Sequence, residues 1–291
     1  MWCRRAGPEF RPRAAVCAAI AFALLLAGCS SVRLAYDNAD TLLRWEAKSY
    51  LDVHGGQADE LEARIAAFLA WHRKTALPEY ARLAVEAAAR VEKGLSQEDL
   101  VWGYDSAVAQ VRETLRGASA QGADLLDRLS EDQVVHMESR VAEDNRKFAR
   151  ERLQGTPQER RKDRVQRVAE RLEEWVGPLN DTQAGRIAQY SARAPLLDEL
   201  RDREHRRRQT ELFALLRAHQ AKQRLADWAA QWESGRDPSY EEALRADRDE
   251  LFDMLRDLDR SLSAEQRARA VAKFRRYAGD FTRLAAEGAG R

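Results

Sequence analysis

Four times the chain repeats a short pattern: a leucine, then Ser or Asn, then Asp or Gln three residues later. The copies are Leu95-Ser96-Gln97-Glu98-Asp99, Leu129-Ser130-Glu131-Asp132-Gln133, Leu179-Asn180-Asp181-Thr182-Gln183 and Leu262-Ser263-Ala264-Glu265-Gln266. A Ser or Asn so placed accepts from the backbone N–H three residues on, and the later side chain reaches back to the cap's own N–H. The leucine in front is positioned to pack on the first turn and fix the direction of the incoming chain. These are helix starts. Between them Ala, Leu, Glu, Arg, Gln and Asp dominate, and β-branched residues are sparse and never alternate, so no strand has a candidate. One third of the residues are charged, with both signs finely mixed, as on the exposed faces of long amphipathic helices. The expected fold is all-α, an irregular bundle of roughly 8–10 amphipathic helices including one long helix. The four starts lie 34, 50 and 83 residues apart, too unequal for a regular solenoid.

Glycine and proline set the expected boundaries. A first helix spans Leu34 to Val53 and stops at Gly55 and Gly56; a second runs from Ala58 to Thr75; a third runs from Pro78 to Lys93 and stops at Gly94, joined to the second closely enough for the two to form a kinked pair. Leu61, Ile65, Phe68, Leu69, His72 and Ala76 form one stripe that must face a core. Gly155 to Pro157 and Gly177-Pro178 are further stops, and Gly235 to Pro238 is a turn. The longest pattern, Pro195 to Glu233, reads as one extended or slightly bent helix carrying Trp228 and Trp232 on one face. Helices at Tyr240 to Leu258 and Ala264 to Glu287 close the chain.

The N-terminus carries a different signal. Arg4, Arg5, Arg11 and Arg13 precede the apolar run Ala14 to Leu26, the charged and apolar regions of an export signal too short to span a bilayer comfortably. The run ends in Leu26-Ala27-Gly28-Cys29, which resembles the lipobox of bacterial lipoproteins. That resemblance implies cleavage after residue 28 and lipidation of Cys29. It divides the chain into a signal peptide, 1–28, and a helical periplasmic domain, 29–291, tethered to a membrane through acyl chains that each contribute about 0.8 kcal/mol per buried methylene. Ser30 and Ser31 stand where an aspartate would resemble an inner-membrane retention signal, so the outer membrane is favoured. Loss of four basic and one acidic residue with positions 1–28 leaves 45 basic against 47 acidic side chains, a balance that argues against a nucleic-acid binder. Cys3 and Cys17 leave with the signal, so the mature part has no thiol for a disulfide, a zinc cage or a nucleophile.

Two further resemblances concern the mature part. The segments Trp71-His72-Arg73-Lys74 through Leu77-Pro78-Glu79-Tyr80, Asn145-Arg146-Lys147-Phe148, and Trp175-Val176-Gly177-Pro178-Leu179 with Gln183 are similar to an uncharacterised family of proteobacterial lipoproteins, a domain of unknown function following a lipobox. The likeness runs from Cys29 to the long helix and weakens after Ala218. It implies no activity. The motifs at Leu129, Leu179 and Leu262 also resemble, in part, those of small helical periplasmic proteins with an L-T-x-x-Q motif, which include Spy-type chaperones and stress adaptors. Ser or Asn stands here in place of Thr. That likeness implies binding of unfolded or stress-related envelope proteins.

Chemistry-bearing patterns are thin. His54, His72, His136, His205 and His219 show no ligand spacing, so neither a metal nor another cofactor is expected. There is no G-x-S-x-G elbow and no phosphate-cradling G-x-x-x-x-G-K loop. Glu138-Ser139 resembles the Glu-Ser dipeptide of lytic transglycosylases, but the Gly-rich signature that follows in that family is missing. His72 beside Trp71 reads as a core histidine or as part of a polar pocket with Arg73, Glu79 and Tyr80 around a break at Pro78. Arg160, Arg164, Arg167 and Arg171 recur at helical spacing, and Arg201, Arg203, Arg206, Arg207 and Arg208 cluster around His205. Each group is either a self-paired solvated face or a contact for anionic lipid, glycan or an acidic partner. The reading that results is a non-enzymatic, membrane-anchored envelope lipoprotein that binds a protein or envelope polymer through its helical surface. The alternatives are a Spy-like chaperone or stress adaptor, a peptidoglycan-active hydrolase and a structural spacer.

Overall fold

The computed structural model describes residues 31–287; the export-signal segment and Cys29 lie outside them. Among the described residues there are eleven helices and no strand. They are α1 (Ser31–Asp37), α2 (Ala39–Leu51), α3 (Gly56–Lys93), α4 (Gln97–Leu126), α5 (Glu131–Arg152), α6 (Pro157–Val176), α7 (Asp181–Arg193), α8 (Asp198–Arg217), α9 (Ala221–Ala230), α10 (Pro238–Ser261) and α11 (Ala264–Glu287). The all-α expectation holds, and every one of the four caps forms with both reciprocal bonds. Thr156 and Glu159 make a fifth box that starts α6.

The long helix is not where the sequence pattern put it. The expected second and third helices are one, α3, whose 38 residues reach roughly 57 Å at 1.5 Å per residue. Pro78 removes a backbone N–H, but it and Lys74, whose carbonyl loses that donor, are both exposed, so water can take the partner's place. Conversely, the expected helix Pro195 to Glu233 is two. After α8 the chain makes a Schellman turn, with His219 N–H donating to Leu216 O at 3.0 Å and Gln220 N–H to Leu215 O at 3.1 Å. His219 takes the left-handed conformation, φ 50°, that glycine usually supplies at this position. Asp127, at the end of α4, holds the turn: its carbonyl bonds the His219 ring at 2.6 Å and its carboxylate accepts from Lys222 N–H at 3.2 Å. The first expected helix also divides, at Asn38, whose side-chain amide donates to Leu34 O at 2.7 Å.

α3 is the spine. α4 folds back along it, pinned by Arg64 to Asp124 at 3.3 Å, Tyr80 to Thr114 at 2.7 Å and Arg90 to Asp99. Gly117 of α4 passes so close to the Trp71 ring that an added Cβ would lie 2.3 Å from it. α11 runs antiparallel on another side of α3. Arg267 at its start donates to Val91 O at 2.6 Å, and Phe281 near its end meets the Tyr80 ring at 5.7 Å. Asp259, buried at the end of α10, accepts from Arg267 at 2.7 Å and from Leu95 N–H at 3.0 Å, so it ties the α3–α4 corner to the α10–α11 corner. The expected stripe Leu61, Ile65 and Leu69 is buried with Leu51, Val134, Phe213, Leu216 and Leu225 in one core. Two others lie at the opposite end, one around Ala88, Val91 and Val271 and one around Ile187, Tyr190 and Met254.

One arrangement of caps occurs twice. Gln133 at the start of α5 donates to Asp52 O at 3.2 Å and to Gln57 Oε1 at 2.8 Å; Gln266 at the start of α11 donates to Pro178 O at 2.9 Å and to Gln183 Oε1 at 3.1 Å. In both, a capping glutamine grips a carbonyl and the glutamine five residues beyond it. α2–α3 with α4–α5, and α6–α7 with α10–α11, are thus two versions of one four-helix unit, with α8 and α9 inserted in the second. That insertion lengthens the interval between the third and fourth motifs to 83 residues.

Candidate functional site

Residues of α3, α4 and α6 meet, beside members of the two smaller cores, in a cleft of about 1200 Å³. Its lining takes in the last turns of α3, the first turns of α4, most of α6, the start of α8, and α10 and α11. Aromatic rings furnish much of the wall. Trp102 stands one turn beyond the Asp99 cap, with the Arg90 guanidinium 4.1 Å above it. Trp175 packs on Phe274 at 4.6 Å between ring centres, and Lys273 Nζ sits 4.7 Å over Trp175 while donating to Glu174 O. Phe148 reaches the cleft from α5 and Phe252 from α10.

The four arginines of the α6 series, Arg160, Arg164, Arg167 and Arg171, all line the cleft, but their roles divide in two. Arg164 is 13% exposed and is spent on structure: its guanidinium donates to Ser191 O at 2.7 Å, Ala194 O at 2.8 Å and Pro195 O at 2.8 Å. It thereby caps the carbonyl end of α7, where a cation is also favoured by the helix dipole. Arg160 is 12% exposed and pairs with Glu199 at 2.6 Å. Arg167 and Arg171, by contrast, are exposed at the cleft and form no ion pair among the described residues, and the same holds for Arg152 at the end of α5 except that it is half-buried. Arg201 also lines the cleft and lies 4.0 Å from Asp198.

The other half of the arginine cluster is likewise not an open patch. Arg206 pairs with Asp202 at 2.9 Å; Arg207 holds Glu204 at 2.7 Å and Ser234 O at 3.0 Å; Arg208 donates to Trp228 O at 2.5 Å and lies 3.8 Å over the Trp228 ring. Arg207 and Arg208 fasten α8 to α9 and to the turn after it. Trp232 stands beyond the end of α9, with the Arg112 guanidinium 5.1 Å over its ring, so the two tryptophans do not share a helix face.

Nor does a polar pocket open at Pro78. His72 Nδ1 bonds the Tyr36 hydroxyl at 2.9 Å, the two rings stack at 5.7 Å, Tyr80 meets His72 edge-on at 5.5 Å, and Arg73 lies 5.2 Å over Tyr36. Glu79 turns away to Arg82. His72, Arg73 and Tyr80 are brought together, but around Tyr36, to dock α1 on α3. Burial first, and the Arg73 charge second, hold the His72 pKa below the usual imidazole value.

Glu138 does not line the cleft. It accepts both ends of the Arg217 guanidinium, at 2.7 and 2.8 Å, and that pair holds its carboxyl below the usual range, opposite to what a general acid needs. In the cleft wall, burial raises the Asp247 pKa, although Tyr190 donates to this carboxylate at 3.0 Å. No group of side chains able to hold a metal ion occurs among the described residues, and none of their helices is long and apolar enough to cross a membrane.

The cleft itself was missed in the sequence because its lining comes from eight helices far apart along the chain. Trp102, Trp175 and Phe274 gave the available signal, being large aromatic side chains on helices whose other faces are highly charged. No curated protein and no solved structure matches the chain. A family model described as a family of unknown function, DUF6279, matches residues 49–241, which is two thirds of the length and extends past the point at which the sequence resemblance faded. The chain belongs to this family of unknown function, DUF6279.

Proposed function

We propose that this chain is a non-enzymatic, membrane-anchored protein of the cell envelope that binds an anionic, partly apolar stretch of a partner protein or envelope polymer in the cleft. The observation that carries the reading is the combination in one concavity of an aromatic lining with Arg152, Arg167 and Arg171, cations that form no ion pair among the described residues. Apolar contact supplies affinity and the arginines select for negative charge. A spacer needs no such concavity. The concave apolar lining also favours a second reading, that of a chaperone taking many client segments.

Photo-crosslinking in living cells separates these. A photoreactive residue at position 170, in the cleft lining, captures species that one at position 206 does not, and Arg167→Gln with Arg171→Gln lowers that capture several-fold. One recurrent protein identifies an adaptor, and many envelope proteins identify a chaperone. Equal capture from positions 170 and 206, or none from 170, refutes the cleft as the binding site.

A further inference from the structure

The most exposed large apolar side chains are concentrated at one end of the chain. Trp45 is 68% exposed, Leu34 64% and Leu42 56%, with Leu43 beside them at 38%. Leu42 and Trp45 are three apart on α2 and therefore neighbours on one face. Leu34 lies on α1, immediately before. Asn38 and Thr41, exposed between them, are uncharged, and Asp37 and Glu46 are exposed nearby. The cations of these two helices are already engaged: Arg33 with Glu287, Arg44 with Asp40 and Glu62, Lys48 with Glu62. This face offers apolar area and an indole, and no unpaired cation.

We infer that the exposed face of α1 and α2 lies against the bilayer surface, with Leu34, Leu42 and Trp45 entering the interface. The inference rests on the reading of residues 1–29 as a membrane anchor. Position decides the occupant. Leu34 stands five positions after Cys29, so this face begins within roughly 18 Å of the anchored residue even if the intervening chain is fully extended. Tryptophan favours the membrane interface, where its ring is buried and its N–H stays wet. A contact too weak to bind alone suffices, because the anchor makes it intramolecular and raises its effective concentration to the millimolar range. With its cations paired, the face is held by apolar burial and not by attraction to anionic headgroups. It also fixes the orientation of the whole molecule, which a lipid tether alone leaves loose.

The test uses the full lipidated chain in phosphatidylcholine vesicles. Once Cys29 carries lipid and Cys3 and Cys17 have left with the signal, a single introduced cysteine is the only reactive thiol. An environment-sensitive fluorophore is attached in Leu42→Cys and Trp45→Cys, and in Val85→Cys and Val111→Cys as exposed apolar positions elsewhere, at 58% and 50%. Lipids brominated near the headgroup quench the probes at 42 and 45 at least twofold and leave those at 85 and 111 unchanged. Replacing a third of the lipid by phosphatidylglycerol alters the quenching little. Lipidated protein with positions 42 and 45 no more quenched than 85 and 111 overturns the inference alone. A chain whose mass shows no acyl group on Cys29 and which does not float with vesicles overturns the anchor reading and this inference with it.

Discussion

The two glutamine clasps are built alike but buried differently, so the same substitution should cost different amounts in each. Gln183 is fully buried: its Oε1 accepts from Asn180 N–H at 3.1 Å and from Gln266 Nε2, while its Nε2 donates to Ser261 O at 3.2 Å and to Gln266 Oε1 at 2.9 Å. Gln183→Ala removes the capping bond and leaves the Ser261 carbonyl and the Gln266 amide short of partners. Each orphaned buried group costs about 1–3 kcal/mol, and the truncated side chain leaves a void, so a loss of about 3 kcal/mol is expected. Gln133 likewise accepts from its cap's N–H and donates to a carbonyl and a glutamine, but it is only half-buried, so water re-solvates its partners and Gln133→Ala costs about 1 kcal/mol. For a chain of this size those losses lower the thermal midpoint by roughly 6–12 °C and 2–4 °C respectively. Helical circular dichroism followed through heat and urea measures both, with an unchanged urea slope showing that stability alone has moved. The double substitution with Gln266→Ala should fall short of additivity, because the two amides bond each other. Equal effects of Gln183→Ala and Gln133→Ala would refute the argument, because burial would then not be what sets the cost.

Four further outcomes follow. Arg164→Lys should lower stability by about 2 kcal/mol, since a lysine cannot reach three carbonyls at once, whereas Arg167→Gln should leave the urea midpoint within about 0.5 kcal/mol of the parent; similar effects would refute this division of roles. His72 is held neutral, so as pH falls below 6.5 the unfolded chain takes up a proton that the folded chain resists, and stability declines; His72→Phe should flatten urea midpoints between pH 7.5 and 5.5, leaving the contribution of His205, whose pKa is also lowered by burial. Asp99 has its pKa lowered, first by the Ser96 N–H and then by Arg90, so its contribution is present above pH 3.8 and is lost as acid protonates it; Asp99→Asn should reduce the acid dependence of the midpoint, and an unaltered acid limb would count against the cap. Residues 49–241 expressed alone should lack a cooperative unfolding transition, because α11 and most of α10 are then missing and Ala88 and Val91 face water.

What could be read from the sequence is what local physics decides. The capping boxes at Ser96, Ser130, Asn180 and Ser263 involve groups three residues apart and form regardless of what surrounds them. The errors arose where a distant residue overrides the local signal. Pro78 looked like the first residue of a new helix, and only tertiary packing places it on a solvated side of a helix that continues. The break at His219 carries neither glycine nor proline, and it forms because Asp127, far back in the chain, bonds both His219 and Lys222. The α6 arginines have true helical spacing, but which of them are consumed depends on where the carbonyl end of α7 comes to rest. The cleft depends on all of these placements together, so no single segment announces it.

The pairing of α3 with α11 also sets the order in which the molecule can be completed. Some 170 residues separate the end of α3 from the start of α11. At a synthesis rate of about 5–20 residues per second, roughly 9–35 s pass between the emergence of the two, and during that interval the stripe Ala84, Ala88 and Val91 has lost its ribosomal shelter without gaining its partner. The first four-helix unit can close on itself through Gln133 and Gln57 in that time, whereas the second cannot, because its clasp waits for Gln266. Nascent chains arrested before residue 264 are therefore half-finished in a specific way, with the end of the spine open to proteases and to association with other unfinished chains.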